Sequence, residues 1–138
     1  KTDYAFILNP DVILEKNTIQ EIIEESKNIK SFAILAPISS NGKYPNYTID
    51  KESQNNTNFD LPFNVKSVDG YAMVLDLKKI NQIETFKHNN YFDENFFMYL
   101  ENDDLCKRLI VNDQNIFIIP KSKIIDLKQN SLVEGVRG

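Results

Sequence analysis

Two short apolar runs, each stopped by a proline, constrain the fold of this chain more than any other feature of its sequence. The first run covers 3–8 and is followed by Asn9-Pro10; the second covers 32–37 and ends at its own proline. Nearly continuous apolar runs of this length are typical of strands that are buried on both faces. The sequence therefore predicts a sheet whose two faces are both covered.

Apolar residues at helical spacing predict the helices that would cover the two faces of this sheet. Thr18 and Glu21 have the spacing of a capping box, and a helix is expected at 18–29 with an apolar stripe of Ile19, Ile22 and Ile23. A short helical turn is predicted at 77–83. A longer helix is predicted at 102–112, with acidic residues in its first turn and a stripe of Leu105, Leu109 and Ile110.

The remaining apolar stretches predict further strands. Residues 63–77 suggest two short strands or one bent strand, because Asp69-Gly70 interrupts the run. Two more strands are predicted at 116–119 and 123–127, separated by a proline-containing turn. The stretch 39–62 is rich in Asn, Ser and Thr and predicts a functional loop, a lid or a flap. The expected fold class is α/β, a mixed sheet with flanking helices.

Length and composition limit the class of protein. The 138 residues fit a single domain over 1–138, and a net charge of −4 disfavours a nucleic-acid partner. A lone Cys106 excludes an internal disulfide, indicates a reducing compartment and is expected to be a buried thiol. The chain begins without Met and enters a strand almost at once, so we expect it to be a piece of a longer protein.

Asp11 is the first candidate for chemistry, because it follows the end of the first predicted strand. Ligands of open α/β sheets gather beyond the carboxyl ends of strands. A carboxylate there can hold a divalent cation that neutralises a diphosphate. The alternative is that Asn9, Pro10 and Asp11 only form a turn, since all three are turn formers.

The acidic run from Glu101 to Asp104 is the second candidate. Acids in a first helical turn offset the helix dipole, and Asp104 has the i,i+4 spacing for an exposed pair with Arg108. The functional alternative is a general base beside a dry wall formed by Phe96 and Phe97. His88, the only histidine, is expected in a solvated loop.

Other reaction classes lack their motifs. The sequence has no glycine-rich phosphate loop, no dinucleotide-binding fingerprint, no nucleophile elbow and no Cys/His zinc spacing. Nucleophilic cysteine chemistry is disfavoured by a single cysteine and a single histidine.

Three segments in register resemble the family 2 glycosyltransferases, in particular the bacterial rhamnosyltransferase-like branch with a GT-A fold. The likeness runs from Tyr4 to about Ser131. The segments are Ile7-Leu8-Asn9-Pro10-Asp11-Val12, then Val68-Asp69-Gly70-Tyr71-Ala72-Met73-Val74, then Phe92-Asp93-Glu94-Asn95-Phe96-Phe97-Met98-Tyr99-Leu100-Glu101-Asn102-Asp103-Asp104-Leu105-Cys106-Lys107-Arg108.

The resemblance implies a donor site. Asn9-Pro10-Asp11 looks like a variant of the family's D-x-D motif, with Asp11 meeting Mg²⁺ or Mn²⁺ and the diphosphate of a nucleotide-sugar donor. Gly70 and Tyr71 match the strand that borders the sugar and acceptor pocket. Asp126 stands where the family often has a histidine, and a carboxylate also suits Mg²⁺ or Mn²⁺.

The resemblance also implies a base at Glu101-Asn102, where the family usually has Glu-Asp. An amide cannot accept a proton as a carboxylate does, so Glu101, Asp103 or Asp104 would have to substitute for Asn102.

The activity implied is inverting sugar transfer from a nucleotide-diphosphate donor to a hydroxyl of a glycan or lipid-linked acceptor, in cell-surface polysaccharide or glycolipid synthesis. A cytoplasmic location is implied, at the inner face of the membrane where missing parts of the chain associate with it. The family's N-terminal, nucleotide-binding half would precede Lys1, so this fragment is not expected to turn over alone. The alternatives are a catalytically silent homologue that serves as a binding or scaffold domain and, further off, a plain calcium-binding module.

Overall fold

The computed structural model describes residues 4–41, 44–82 and 102–127. In chain order the elements are β1 (Tyr4–Leu8), β2 (Val12–Leu14), α1 (Thr18–Ser26), β3 (Ile34–Ser39), β4 (Tyr47–Thr48), α2 (Lys51–Asn56), β5 (Phe63–Asn64), β6 (Ser67–Val68), β7 (Ala72–Asp76), α3 (Leu77–Gln82), α4 (Asn102–Val111) and β8 (Ile116–Asp126).

The main sheet formed by the described residues is mixed. Its strands follow the order β1-β7-β3-β8-β2, and β5 also pairs with β8. β3 and β8 are parallel, whereas β1 and β3 each run antiparallel to β7, and β2 runs antiparallel to β8. A separate two-stranded sheet joins β4 to β6. The predicted class, an α/β fold with a mixed sheet and helices, is confirmed at this level.

Both faces of β3, the central strand of the main sheet, are buried, as its continuous apolar sequence predicts. Successive side chains of a strand point to opposite faces. Ile34 accordingly joins a core cluster with Leu105 and Leu109 of α4, whereas Leu35 joins another with Ile22 of α1. The sheet is therefore covered by α4 on one face and by α1 on the other.

Cys106 of α4 has no exposed surface, which confirms the prediction of a buried thiol. Burial raises the pKa of this thiol to about 11. It therefore serves as a small apolar core residue in the layer between α4 and the sheet.

The predicted start of the first helix is wrong in its detail. Thr18 is the first helical residue and not the N-cap; Asn17 is the N-cap and makes no side-chain capping hydrogen bond. The Thr18 hydroxyl instead lies within donor distance of the carbonyl oxygens of Glu15 and Lys123. A long-range contact with β8 therefore replaces the local capping box, and the helix ends at Ser26, three residues before the predicted end.

The predicted apolar stripe of this helix is only partly buried. Ile22 is buried, but Ile19 is 47% and Ile23 is 53% exposed. Both border a shallow apolar hollow of about 220 Å³ together with Tyr4 of β1. β1 is the edge strand of the described sheet, so the far side of this stripe has no sheet to pack on.

The last two predicted strands form one strand, β8, which contradicts the predicted break. Its pairing with β3 shifts register: Ile119 lies opposite Pro37, and Lys123 lies opposite Ile38. Residues 120–122 are thus accommodated as an irregularity within the strand. Ser122 in this bulge is buried and donates its hydroxyl to the Thr18 carbonyl at 2.6 Å.

The other boundaries show where local patterns suffice. The run at 63–77 forms separate strands, with a turn at 70–71 before β7, and the helices predicted at 77–83 and 102–112 are observed as α3 and α4. β3 begins and ends two residues later in the chain than the strand predicted at 32–37. The predicted loop at 39–62 contains β4 and α2, so it is more regular than its composition suggests.

Candidate functional site

Four segments of the chain meet at one edge of the main sheet. Because β1 and β3 both run antiparallel to β7, they are parallel to each other, and β8 is parallel to β3. The carboxyl ends of three strands and the amino end of β7 therefore lie on the same side. We call this side the carboxyl edge; it comprises residues 9–11, 39–41, 69–71 and 126.

Residues 9–11 form a turn, as one of the two interpretations of their sequence predicts. The Val12 N–H donates to the Asn9 carbonyl at 3.1 Å, which closes the turn, and the Asn9 N–H donates to the Tyr71 carbonyl at 2.8 Å. The Leu127 N–H donates to the Asp11 carbonyl at 2.8 Å. The turn thus ties β1 to β7 and to the end of β8, and it leaves Asp11 exposed to solvent.

Asp126, the last residue of β8, is buried, with only 5% of its surface accessible to solvent. Its backbone is held by one side chain: the Asp126 N–H donates to Asn41 Oδ1 at 2.9 Å, and Asn41 Nδ2 donates to the Asp126 carbonyl at 3.1 Å. This double contact fixes the backbone of Asp126 beside the end of β3. Burial of a carboxylate destabilises the folded protein unless other groups compensate its charge, so a buried aspartate at the end of a strand is a candidate for a functional residue.

Tyr71 places a phenol among these groups. Its hydroxyl is buried and makes no hydrogen bond of normal geometry within the described residues, although the Ser39 side chain lies close by. Burial, followed by the negative charges of Asp69 and Asp126, raises the pKa of Tyr71 to about 12; the nearby Ser39 side chain opposes this shift. The Ser39 hydroxyl itself donates to the Asn41 carbonyl at 2.7 Å. At neutral pH Tyr71 is therefore an O–H donor.

Asp69 is a site residue that the sequence does not single out, because Asp69-Gly70 predicts a break or a bend between strands and the family resemblance gives a role only to Gly70 and Tyr71. Although Asp69 is exposed at its surface, desolvation raises the pKa of its carboxyl, and the charges of Asp103 and Asp126 raise it further. Its N–H donates to the carbonyl of buried Asn46 at 2.9 Å. Only the packing of α4 against β6 brings Asp103 near, and no local pattern signals that contact.

The start of α4 brings part of the acidic run to this edge. Asp103 is exposed and lies close enough to Asp69 to raise its pKa. Asp104 accepts a hydrogen bond from Arg108 Nε at 2.9 Å, which confirms the predicted i,i+4 pair. Glu101, the side chain of Asn102, and the predicted aromatic wall of Phe96 and Phe97 lie outside the described residues, as does His88.

The predicted site residues are thus brought together to different extents. The backbones of Asn9, Gly70 and Tyr71 adjoin one another, and Asp11 adjoins the end of β8. The charges of Asp126 and Asp103 both act on Asp69, which the sequence did not select, and the charges of Asp126 and Asp69 act on Tyr71. Asp104 instead pairs with Arg108 of the same helix.

The donor set suits Mg²⁺ or Mn²⁺ only in an open site. Among the residues that the structure describes, no group of three or more His, Cys, Asp or Glu side chains could hold a metal ion together. Mg²⁺ is typically held by one or two carboxylates, with substrate phosphates and water completing its shell. Asp11 follows β1 and Asp126 ends β8; the Leu127 N–H, next to Asp126, donates to the Asp11 carbonyl at 2.8 Å, so both residues are carboxylates that an open site of this kind could use.

Comparison with protein-family models and with curated proteins gives no match to this chain. Within the described ranges, none of the helices has the length and apolar character needed to cross a membrane.

Proposed function

We propose that this chain is the C-terminal part of the catalytic domain of an inverting glycosyltransferase with a GT-A fold. It transfers a sugar from a nucleotide-diphosphate donor to a hydroxyl of a glycan or lipid-linked acceptor, in the synthesis of cell-surface polysaccharide or glycolipid. The observation that carries the proposal is that the Asn9-Pro10-Asp11 turn, Gly70 and Tyr71, Asp126 and the start of α4 converge on one edge of the sheet.

The donor diphosphate is assigned to the side of the carboxyl edge formed by the 9–11 turn and the end of β8. Asp11 and Asp126 would hold Mg²⁺ or Mn²⁺ there, and the cation would neutralise charge that develops on the leaving diphosphate. The O–H of Tyr71, buried beside the Ser39 side chain, would donate to an oxygen of the bound sugar or phosphate.

The acceptor side is assigned to the start of α4. In an inverting displacement, a carboxylate removes the proton from the acceptor hydroxyl while the acceptor oxygen bonds to the anomeric carbon. The bond to the diphosphate breaks, and the diphosphate leaves with its electron pair. Asn102 cannot take the proton, and Asp104 is paired with Arg108, so Asp103 and Glu101 are the preferred bases.

The proposed location follows from the proposed substrates. Nucleotide-sugar donors and lipid-linked acceptors meet at the cytoplasmic face of a membrane, and a single buried cysteine accords with a reducing compartment. Further parts of the protein would supply the nucleotide-binding half and the membrane association.

A second candidate is a catalytically silent homologue that binds glycan or a partner protein. It is favoured by two departures from the family pattern, Asn102 at the position of the base and Asp126 at the position of a histidine. In this case the carboxyl edge would keep its architecture without proton transfer.

Donor consumption by the full-length chain distinguishes the two candidates. Purified protein with Mn²⁺ is offered a panel of nucleotide-diphosphate sugars, and wild type is compared with Asp11→Ala, Asp103→Asn and Glu101→Gln. Loss of a general base is expected to slow turnover by roughly 10²- to 10⁴-fold. Glu24→Gln on exposed α1 is the matched control and is expected to have wild-type turnover.

Measurable activity that survives all three substitutions at the site would refute the assignment of the site residues. If no donor is consumed by wild type, the silent homologue is favoured. Tight Ca²⁺ binding that is unaffected by Asp11→Ala would favour the calcium-binding module instead.

A further inference from the structure

A groove runs along the exposed face of α4. It begins near the carboxyl edge and leads away from it. Two adjoining hollows of about 740 and 490 Å³ share four lining residues: Ile49, Asp50, Lys66 and Ile110. We call the combined depression the α4 groove. One wall is the α4 helix, and the other is formed by the β4–β6 sheet and the start of α2.

The α4 groove is continuous with the candidate site through Asp103. This residue lines the larger hollow, and its charge also acts on Asp69 at the carboxyl edge. The other end is lined by Asp113, Gln114 and Asn115, which follow the helix. A helix of 10 residues is about 15 Å long, so the groove can hold an extended ligand rather than a single small group.

An apolar strip lies along the groove between polar side chains. Ile110 is 39% and Val111 is 81% exposed, and both line the groove with Ile49. Hydroxyl, amide and charged side chains flank this strip, among them Ser53 and Asn64. An apolar surface with a few polar groups that fix orientation is the usual build of a small-molecule site.

The charges of the rims narrow the class of ligand. Lys66 and Lys107 stand among Asp50 and Asp103, so the groove carries both signs. A nucleic acid would require a cationic track, and a long anionic polymer would be repelled by the aspartates. A neutral oligosaccharide has C–H faces that pack on aliphatic side chains and hydroxyls that bond to polar rims.

We propose that the α4 groove binds the oligosaccharide part of the acceptor, with the reactive end at Asp103 and the preceding sugar units directed toward Asn115. This inference rests on the proposed glycosyltransferase function and adds the class of acceptor, a neutral glycan of several units rather than a single sugar or a bare lipid.

Binding of neutral tetrasaccharides tests the proposal without any need for turnover. Cello-, chito- and mannotetraose are titrated into the isotope-labelled full chain, and backbone amide shifts are followed by NMR. Val111→Asp places a charge on the apolar strip, and Lys66→Ala removes a hydrogen-bond donor that lines the groove. Each is expected to weaken binding by about tenfold, the equivalent of 1.4 kcal/mol.

Leu61→Asp and Lys78→Ala are the matched controls, because both residues are exposed and neither lines the groove. They are expected to leave tetrasaccharide affinity unchanged. Shifts that centre on Lys66 and Val111 and are lost in the groove variants support the proposal. It is overturned if no tetrasaccharide perturbs the groove, or if the perturbation is the same in the groove variants and the controls.

Failure of this inference is distinguishable from failure of the proposed function. Hydrolysis of a nucleotide-sugar donor without acceptor depends on the carboxyl edge and is measured in wild type, in Asp11→Ala and in the control Lys78→Ala, which is expected to have the wild-type rate. A groove that does not bind glycan while Asp11→Ala still abolishes donor hydrolysis would refute the acceptor assignment alone.

Discussion

Replacement of Asn46 by alanine removes two hydrogen bonds from the interior of the protein. Asn46 has no exposed surface; its Nδ2 donates to the Pro37 carbonyl at 2.8 Å, and its Oδ1 accepts from the Ser39 N–H at 3.0 Å. Loss of the side chain deprives both backbone groups of these bonds, at about 1–3 kcal/mol for each buried group left unpaired. Because Ser39 is only partly buried, we expect Asn46→Ala to lower the free energy of unfolding by about 3 kcal/mol in total.

Urea denaturation followed by circular dichroism measures this loss, and thermal denaturation should show a Tm lowered by roughly 10 °C for a domain of this size. Asn56→Ala is the matched control: Asn56 is exposed, and its Nδ2 donates to the Glu52 carbonyl at 3.2 Å. A loss at residue 46 that does not exceed the loss at residue 56 would refute the reasoning.

The aspartate variant separates the two bonds. Asn46→Asp keeps the acceptor for Ser39 but turns a charged oxygen toward the Pro37 carbonyl, so it is expected to be destabilised at neutral pH. At low pH the protonated carboxyl can donate to that carbonyl. Stability should therefore recover as the pH falls through the raised pKa of the new, buried carboxyl.

Three further predictions concern single side chains. Asp104→Asn should lower stability by only about 0.5 kcal/mol, because the Arg108 pair is exposed; urea titration checks this, and a loss several times larger would contradict it. The raised pKa of Asp69 means that the folded protein binds more protons than the unfolded chain above pH 3.8, so stability falls as the pH rises through that folded-state pKa. Asp69→Asn should remove this fall, and identical pH profiles of variant and wild type would contradict the prediction. Cys106, with a pKa of about 11, should react with a disulfide reagent at neutral pH only after the protein unfolds in urea; fast reaction of the folded protein would contradict its burial.

The elements that the sequence predicts well are those whose signal is local. The apolar run that contains Ile34 and Leu35 predicts a strand buried on both faces, and its alternate residues do pack on α4 and α1. The Leu105 and Leu109 stripe likewise predicts the buried face of α4. In these elements, periodicity and tertiary packing favour the same structure.

The errors occur where a distant element competes with a local pattern. Thr18 has the spacing of a capping box, but contact with the Lys123 carbonyl of β8 takes its hydroxyl. The proline at the middle of β8 predicts a break, yet pairing with β3 continues across a register shift after Pro37. Sheet partners far away in the chain decide both outcomes, and a single sequence does not specify them.

The candidate site divides in the same way. Asp11 is identifiable from its position after a strand, and Asp126 only from the family resemblance. Asp69, Asn41 and Asn46 were missed, because their roles depend on contacts across more than twenty residues of chain or on a long loop.

The most direct test of the central claim is Mn²⁺ binding, measured by electron paramagnetic resonance in the presence of UDP, GDP or dTDP. We predict that a nucleoside diphosphate tightens Mn²⁺ binding to the full-length chain. Asp11→Asn and Asp126→Asn should each weaken it by about tenfold or more, whereas Asp60→Asn in an exposed loop should not. Mn²⁺ affinity that is the same in all three variants and in wild type would contradict the account.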